Sequence, residues 1–285
     1  MRNKRPMWVV HCCTLLVVLL LSGCGGRKLE SVSKADLNKY MAVIPSLGSV
    51  FESQQIKMLS YYSDDHEVFL EVRRIGDHTK SLSDKEIDGI KQAFYLAVGA
   101  KFPLNIKVYT IGEQPGMTGT IRAVDKDGRV LVVSTDKFLD NEKKMPDAAW
   151  YTMADDASIT YDGKPLQIKD LKIGSSVKMW SEGTMLTSYP GQTSGLRLDV
   201  TDWDEGAGDA KGVITGVDKT GEGVNEIHII AVDGIKYRLL SFAQVWKNGS
   251  NVSANDLKVE DHVRIWFAGY EVGTEKIVTQ VVIEH

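Results

Sequence analysis

The sequence predicts a small α+β unit over 34–113 followed by two small all-β repeats, 117–200 and 209–285, of OB-like or Greek-key barrel type. Three observations lead there. Helical and strand spacings alternate as far as Ile111, and from Gly119 onward short strands separated by turn residues take over. The β-rich part also matches itself. Gly119-Thr-Ile121-Arg-Ala-Val124-Asp125-Lys126 returns as Gly212-Val-Ile214-Thr-Gly-Val217-Asp218-Lys219, an offset of 212 − 119 = 93. Ala157, Gly163, Asp170, Leu171, Lys172, Val177 and Trp180 return as Ala243, Gly249, Asp256, Leu257, Lys258, Val263 and Trp266, a constant offset of 243 − 157 = 86. Such ungapped agreement reads as two diverged copies of one domain, with an indel between the blocks.

The first elements read as an export signal. Arg2, Lys4 and Arg5 precede an apolar run from Val9 to Leu21, and small residues lead into a cysteine, so 1–23 has the layout of a secretory leader. Leu21-Ser22-Gly23-Cys24 resembles the bacterial lipobox, in which the cysteine is acylated and becomes the first residue. The apolar run is shorter than the roughly 20 residues of a membrane span, whereas two or three acyl chains suffice to hold a protein on a bilayer. The expectation is an exported lipoprotein on the outer face of a membrane, contacting lipid through Cys24 and tethered by 24–33. Cleavage removes Cys12 and Cys13 with the leader, which leaves no pair for a disulfide or a cysteine-ligated metal.

After the tether, Ser33 caps a helix to about Ile44, and Gln55–Tyr62 and Glu67–Arg74 alternate as strands around a turn at 63–66. Ser83-Asp84-Lys85-Glu86 has capping-box spacing ahead of Ile87, Ile90, Phe94 and Val98, and Leu104–Ile111 closes the unit as a strand. In the repeats, Lys126-Asp127-Gly128-Arg129 turns the chain into Val130–Ser134, and Glu226–Val232 is the second copy's return. Val177-Lys-Met-Trp180 and Val263-Arg-Ile-Trp266 alternate, so both tryptophans are expected in the core. Gly195–Val200 and Lys276–Ile283 come last.

Several pieces of the first copy form a series: Gly119-x-Ile121, Asp127-Gly128-Arg129 with its valine run to Ser134, Trp150-Tyr151, Leu171-x-Ile173-Gly174-x-x-Val177-Lys178-Met-Trp180, and Ser188-Tyr189-Pro190-Gly191-Gln192. In that order they resemble the YobA-like family of secreted proteins and lipoproteins of Gram-positive bacteria, a domain of unknown function. The likeness covers about 117–200, with a diverged second copy at about 209–283 that lacks Ser-Tyr-Pro-Gly-Gln. It implies a surface location and no particular activity.

Charge narrows the partners. The formal net charge is −4, and loss of three leader cations gives −4 − 3 = −7, which argues against nucleic acid and an anionic bilayer surface. No Gly-x-Ser-x-Gly, phosphate loop or His-Glu-x-x-His occurs, so an enzyme is not expected and no cofactor is implied. Tyr189-Pro190-Gly191-Gln192 is the candidate binding loop, because proline and glycine fix a turn able to present Tyr189 and Gln192, with Trp150 and Tyr151 as added stacking surface for a sugar or peptide. Asp199, Asp202, Asp204, Glu205 and Asp209 read as a solvated hinge between the barrels or as hard oxygen ligands for calcium. The expected role is a non-catalytic module binding an envelope protein or glycan, the first unit facing outward with Tyr61-Tyr62 on a strand edge. The alternatives are a divalent-cation or small-ligand sensor at the hinge and an envelope-polymer hydrolase.

Overall fold

The computed structural model describes residues 33–64, 66–203, 206–221, 226–272 and 275–284, so the leader, Cys24 and the tether lie outside the described residues. Among the described residues no helix is long and apolar enough to cross a membrane. Among the described residues the chain is mostly β, and the α-helices lie in the first unit.

Ser33 starts α1 (Lys34–Met41) by accepting the Asp36 N–H at 3.2 Å, as an N-cap hydroxyl does for an orphan donor. A 3-10 turn at Ile44–Leu47 and the short α2 (Gly48–Ser53) follow. β1 (Ile56–Ser63) and β2 (Val68–Arg74) pair antiparallel, and β3 (Leu104–Val108) joins β2 in parallel. The crossover between them is α3 (Asp84–Val98), which begins with the reciprocal Ser83–Glu86 capping box and ends at Gly99 in the left-handed region. Leu37, Phe51, Ile90 and Phe94 come down onto Val68, Leu70 and Val72, all fully buried. Each such side chain contributes roughly 1.5–3 kcal/mol, which is what makes three strands a stable sheet.

The next two sheets share one connectivity. β4 (Met117–Val124) pairs with β5 (Arg129–Phe138) and with β8 (Ser176–Leu186), and β5 pairs with β6 (Pro146–Tyr161). β6 runs parallel to β9 (Gly191–Asp202), and β9 pairs back to β8, so the sheet returns to its first strand. β7 (Lys164–Pro165) is a two-residue flap on β6. The same ring is formed by β10 (Ala210–Thr220), β11 (Ile227–Val232), β12 (Ile235–Lys247), β14 (His262–Val272) and β15 (Glu275–Glu284), with β13 (Ser250–Val252) as the flap. Register irregularities coincide too. β4 shifts between Ile121 and Ala123 and β10 between Ile214 and Gly216; β6 shifts between Met153 and Ser158 and β12 between Leu239 and Gln244.

Alternation decides what fills each ring. Ile121, Val130, Val132, Ala149, Tyr151, Val177, Met179 and Leu198 point inward in the first, and Ile214, Ile230, Val232, Val263, Ile265 and Val281 in the second. Trp180 and Trp266 are buried, as expected of core tryptophans, but each packs outward from its own ring. Trp180 stands on the outside of its ring, against Ile111 and Tyr109, and its indole Nε1 donates to the Gly112 carbonyl at 2.9 Å. Trp266 packs against the first ring's cluster, beside Leu171 and Ile173. Each tryptophan therefore seals its own ring onto the unit before it.

Candidate binding cleft between the two β units

The two rings meet through side chains that leave β5 and β6 outward. Leu131, Val133 and Ala148, with Trp150 and Tyr189, pack against Ala268, Ile277, Leu240, Phe242 and Tyr270. Trp150 meets Phe242 edge-on at 5.2 Å, and Tyr189 meets Tyr270 in the same way at 5.6 Å. Gly269, at φ 79°, allows the approach, because a Cβ there would come within 3.2 Å of a Val133 methyl. The rings thus share an apolar seam in addition to the acidic run that links them, of which Asp204 and Glu205 lie outside the described residues.

This placement corrects the proposed binding loop. Tyr151 is 2% exposed inside the first ring, where burial drives its phenol well above the ordinary tyrosine range. Trp150 serves the seam. Tyr189 turns back to donate its hydroxyl to the Pro146 carbonyl at 2.9 Å, and burial, helped by Tyr270, pushes its phenol up to about 12. Pro190 follows it through a cis peptide bond, and Gln192 alone of the set stays exposed. A Pro-Gly turn offers an aromatic ring to solvent only if nothing covers it, and here the second ring does.

The aspartates are dispersed as well. Asp199 accepts from Arg197 Nε at 3.0 Å and Thr160 Oγ1 at 2.8 Å, on a small pocket shared with His78. Asp209 takes Arg122 at 2.9 Å and the Phe267 N–H at 2.7 Å, on another pocket. Asp202 is exposed at the end of β9, and Asp204 and Glu205 lie outside the described residues. Among the described residues no group of three or more His, Cys, Asp or Glu side chains is gathered as a metal ion would require.

What the seam leaves open is a cleft of ≈ 580 Å³, within the roughly 300–1,000 Å³ of small-molecule sites. From the first unit it is lined by Val124, the turn 169–173 and Trp203; from the second by Gln244, Trp246, Gly249, Arg264, Trp266, Gln280 and Val282. Trp203 rests against Tyr161, with the Lys172 ammonium 5.9 Å from its ring centre. Trp246 donates its Nε1 to Gln244 Oε1 at 3.2 Å, and Gln244 Nε2 donates to the Val124 carbonyl at 2.9 Å, which ties the floor of the cleft across both units. Arg264 lies 5.6 Å over Trp266 and is held by Glu284 at 2.6 Å and the Gly206 carbonyl at 2.7 Å. Among the described residues Asp170 is the one carboxylate in the lining, and its oxygen accepts the Gln167 N–H.

The first ring carries the equivalent cleft, at its junction with the N-terminal unit. Ser158, Thr160 and Gly163 occupy the positions of Gln244, Trp246 and Gly249 at the 86-residue offset, and Arg197 opposes Trp180 as Gln280 opposes Trp266. Where the first ring holds an ion-paired polar cluster, the second holds tryptophan and amide. Residues 118–201 match the family described as Protein of unknown function (DUF3221). Thus the first ring is similar to the DUF3221 domain, the same domain of unknown function that the motif series resembles, while the second ring lies outside the match. No curated protein matches the chain. The tryptophan-lined cleft lies at the junction of the DUF3221 segment with the second ring. Sequence reasoning missed Trp203, hidden in the acidic run, and Trp246. The signal for Trp246 was present, since at the 86-residue offset it stands where the first ring holds Thr160.

Proposed function

We propose that this is an exported lipoprotein, anchored through acylated Cys24, whose two β units form a non-catalytic module binding a cell-envelope polymer in the cleft between them. The leader and lipobox residues support the location. The strand order β4-β5-β6-β9-β8, closed by β4 and β8 and with β6 parallel to β9, supports an OB-type barrel in each unit, and the shared irregularities support duplication of one domain.

One observation carries the binding assignment. Trp203 and Trp246, one from each unit, are both only half-buried although a packed seam lies directly beside them. Indole rings left accessible in a concave site offer stacking surface with a polar edge, the chemistry that holds sugar rings. Among the described residues, Asp170 is the single carboxylate lining this cleft and no group of three or more His, Cys, Asp or Glu is gathered, which favours the binding reading over the hydrolase and calcium readings. The test is thermal unfolding of the full chain with purified cell-wall polymer fragments. A ligand that binds only the folded state raises the apparent melting temperature. A dose-dependent rise abolished by Trp246→Ala is expected; an unchanged melting temperature with every fragment contradicts the proposal.

A further inference from the structure

The structure assigns a soft-metal site to the first ring: a monovalent cation of the Cu(I) type held by the thioether sulfurs of Met153, Met179 and Met117, apart from the cleft and independent of what binds there. Comparison of the two rings brings it out. Met117 pairs with Met179 across β4 and β8, and Met153 pairs with Gly195 across β6 and β9. At the same register points the second ring holds Ala210 with Ile265 and Leu239 with Val278. These four pack into that ring's interior, so the fold is satisfied there by aliphatic groups alone. The first ring sets three thioethers at these places, and no methionine occurs in the sequence after Met185.

Packing does not call for the exchange at Met153, because leucine and methionine are nearly equal in volume. What the thioether adds is a polarizable sulfur with lone pairs. Those sulfurs converge. A Cβ on Gly195 would lie 2.6 Å from Met153 Sδ and 3.5 Å from Met179 Sδ, so the two sulfurs flank one point, in space that the second ring fills with Val278. Met117 stands opposite Met179, where paired residues hold their Cβ atoms about 4.5–5.5 Å apart. Its Sδ accepts the Tyr151 hydroxyl at 3.7 Å. Met185 extends the group, its sulfur occupying the space beside Gly191. Met117 and Met179 are buried and Met153 and Met185 half-buried, so sulfur runs from the interior of the ring to its surface and gives a cation a way in.

Thioethers select Cu(I) over the hard cations that oxygen ligands hold. They also have no proton to lose, unlike histidine, cysteine and carboxylate ligands, so affinity should be flat over about pH 5.5 to 8. Silver(I), a redox-stable ion of the same charge and softness, is the probe. The full chain carries carbon-13 at its methionine methyl groups and alkylated cysteines that cannot compete as thiols. It is titrated with silver nitrate in chloride-free buffer and followed by NMR. The Met153, Met179 and Met117 methyl signals should shift together and saturate at one equivalent. Those of Met41, Met58 and Met145 should stay in place, and calcium should move none of them. Met153→Leu with Met179→Ile gives the first ring the residues that the second uses, and should weaken silver binding by at least about tenfold with the circular dichroism unchanged. Competition with bicinchoninate should show the same loss for Cu(I). No shift at Met153 and Met179, shifts confined to Met41, Met58 and Met145, or an affinity that falls in acid overturns the site and leaves these methionines as packing. So does a folded double variant that binds as tightly as the parent; if that variant unfolds, the parent's methyl shifts decide alone.

Discussion

Arg73 joins the N-terminal unit to the first ring. Its guanidinium is fully buried and donates to both oxygens of Asp156, at 2.6 and 2.9 Å, and to Glu182 at 2.5 Å. His78 Nε2 and the Gly76 N–H complete the shell of Asp156, each at 2.9 Å. Burial alone would raise the Asp156 carboxyl, but Arg73, Gly76 and His78 together hold it well below the ordinary carboxylate range. A depressed acid of this kind adds stability above its unfolded value of 3.8, and that contribution is lost as pH falls through its lower folded value. Docking of the two units should persist from neutral pH down through pH 4 and loosen only in stronger acid. Replacing Arg73 with Met leaves two carboxylates without their cation, so a loss of about 3–5 kcal/mol is expected in urea unfolding at pH 7. A loss below about 1 kcal/mol would mean that water already shares the cluster.

At the scale of elements, the glycine that opens the first ring shows why Gly-x-Ile is needed there. A Cβ on Gly119 would overlap the Val133 carbonyl, so β4 can lie against β5 there only without a side chain, whereas one on Gly212 would meet first the Asp233 carboxylate, which can move. Gly119→Ala should cost about 1–3 kcal/mol in chemical denaturation, because backbone rather than a movable side chain blocks the new methyl. Much at this scale was legible in the sequence. Ser83 and Glu86 announced α3, and the constant 86-residue offset foretold one connectivity used twice. What the alternation could not reveal was the cover on a strand's outer side. Leu131 and Val133 sit on that side of β5, and the unbroken run Val130-Leu-Val-Val133 carried the hint, since a strand covered on both sides loses its polar alternation. Missing that cover made Trp150 and Tyr189 look like a binding loop when they are seam residues. Trp203 and Trp246, left partly open by the same seam, were passed over for the same reason.

For the whole molecule, each unit docks on the one before it through an outward tryptophan, and the docking surfaces are not repeated indefinitely. By strand register, Ala231, Asp233 and Lys236 in the second ring correspond to Leu131, Val133 and Trp150 in the first. Lys236 is exposed and pairs with Asp218 at 3.4 Å. A third copy would find charge where the second finds an apolar seat, as in the capping unit of a repeat array. The arrangement creates one mature aromatic cleft, whose lining neither ring can supply alone. Co-sedimentation with insoluble purified cell-wall polymer tests that claim most directly, comparing the full chain with its Trp203→Ala, Trp246→Ala double variant at matched melting temperature. The chain should pellet with the polymer while the variant stays in the supernatant; equal pelleting of the two, or pelleting of neither, contradicts a polymer site in this cleft.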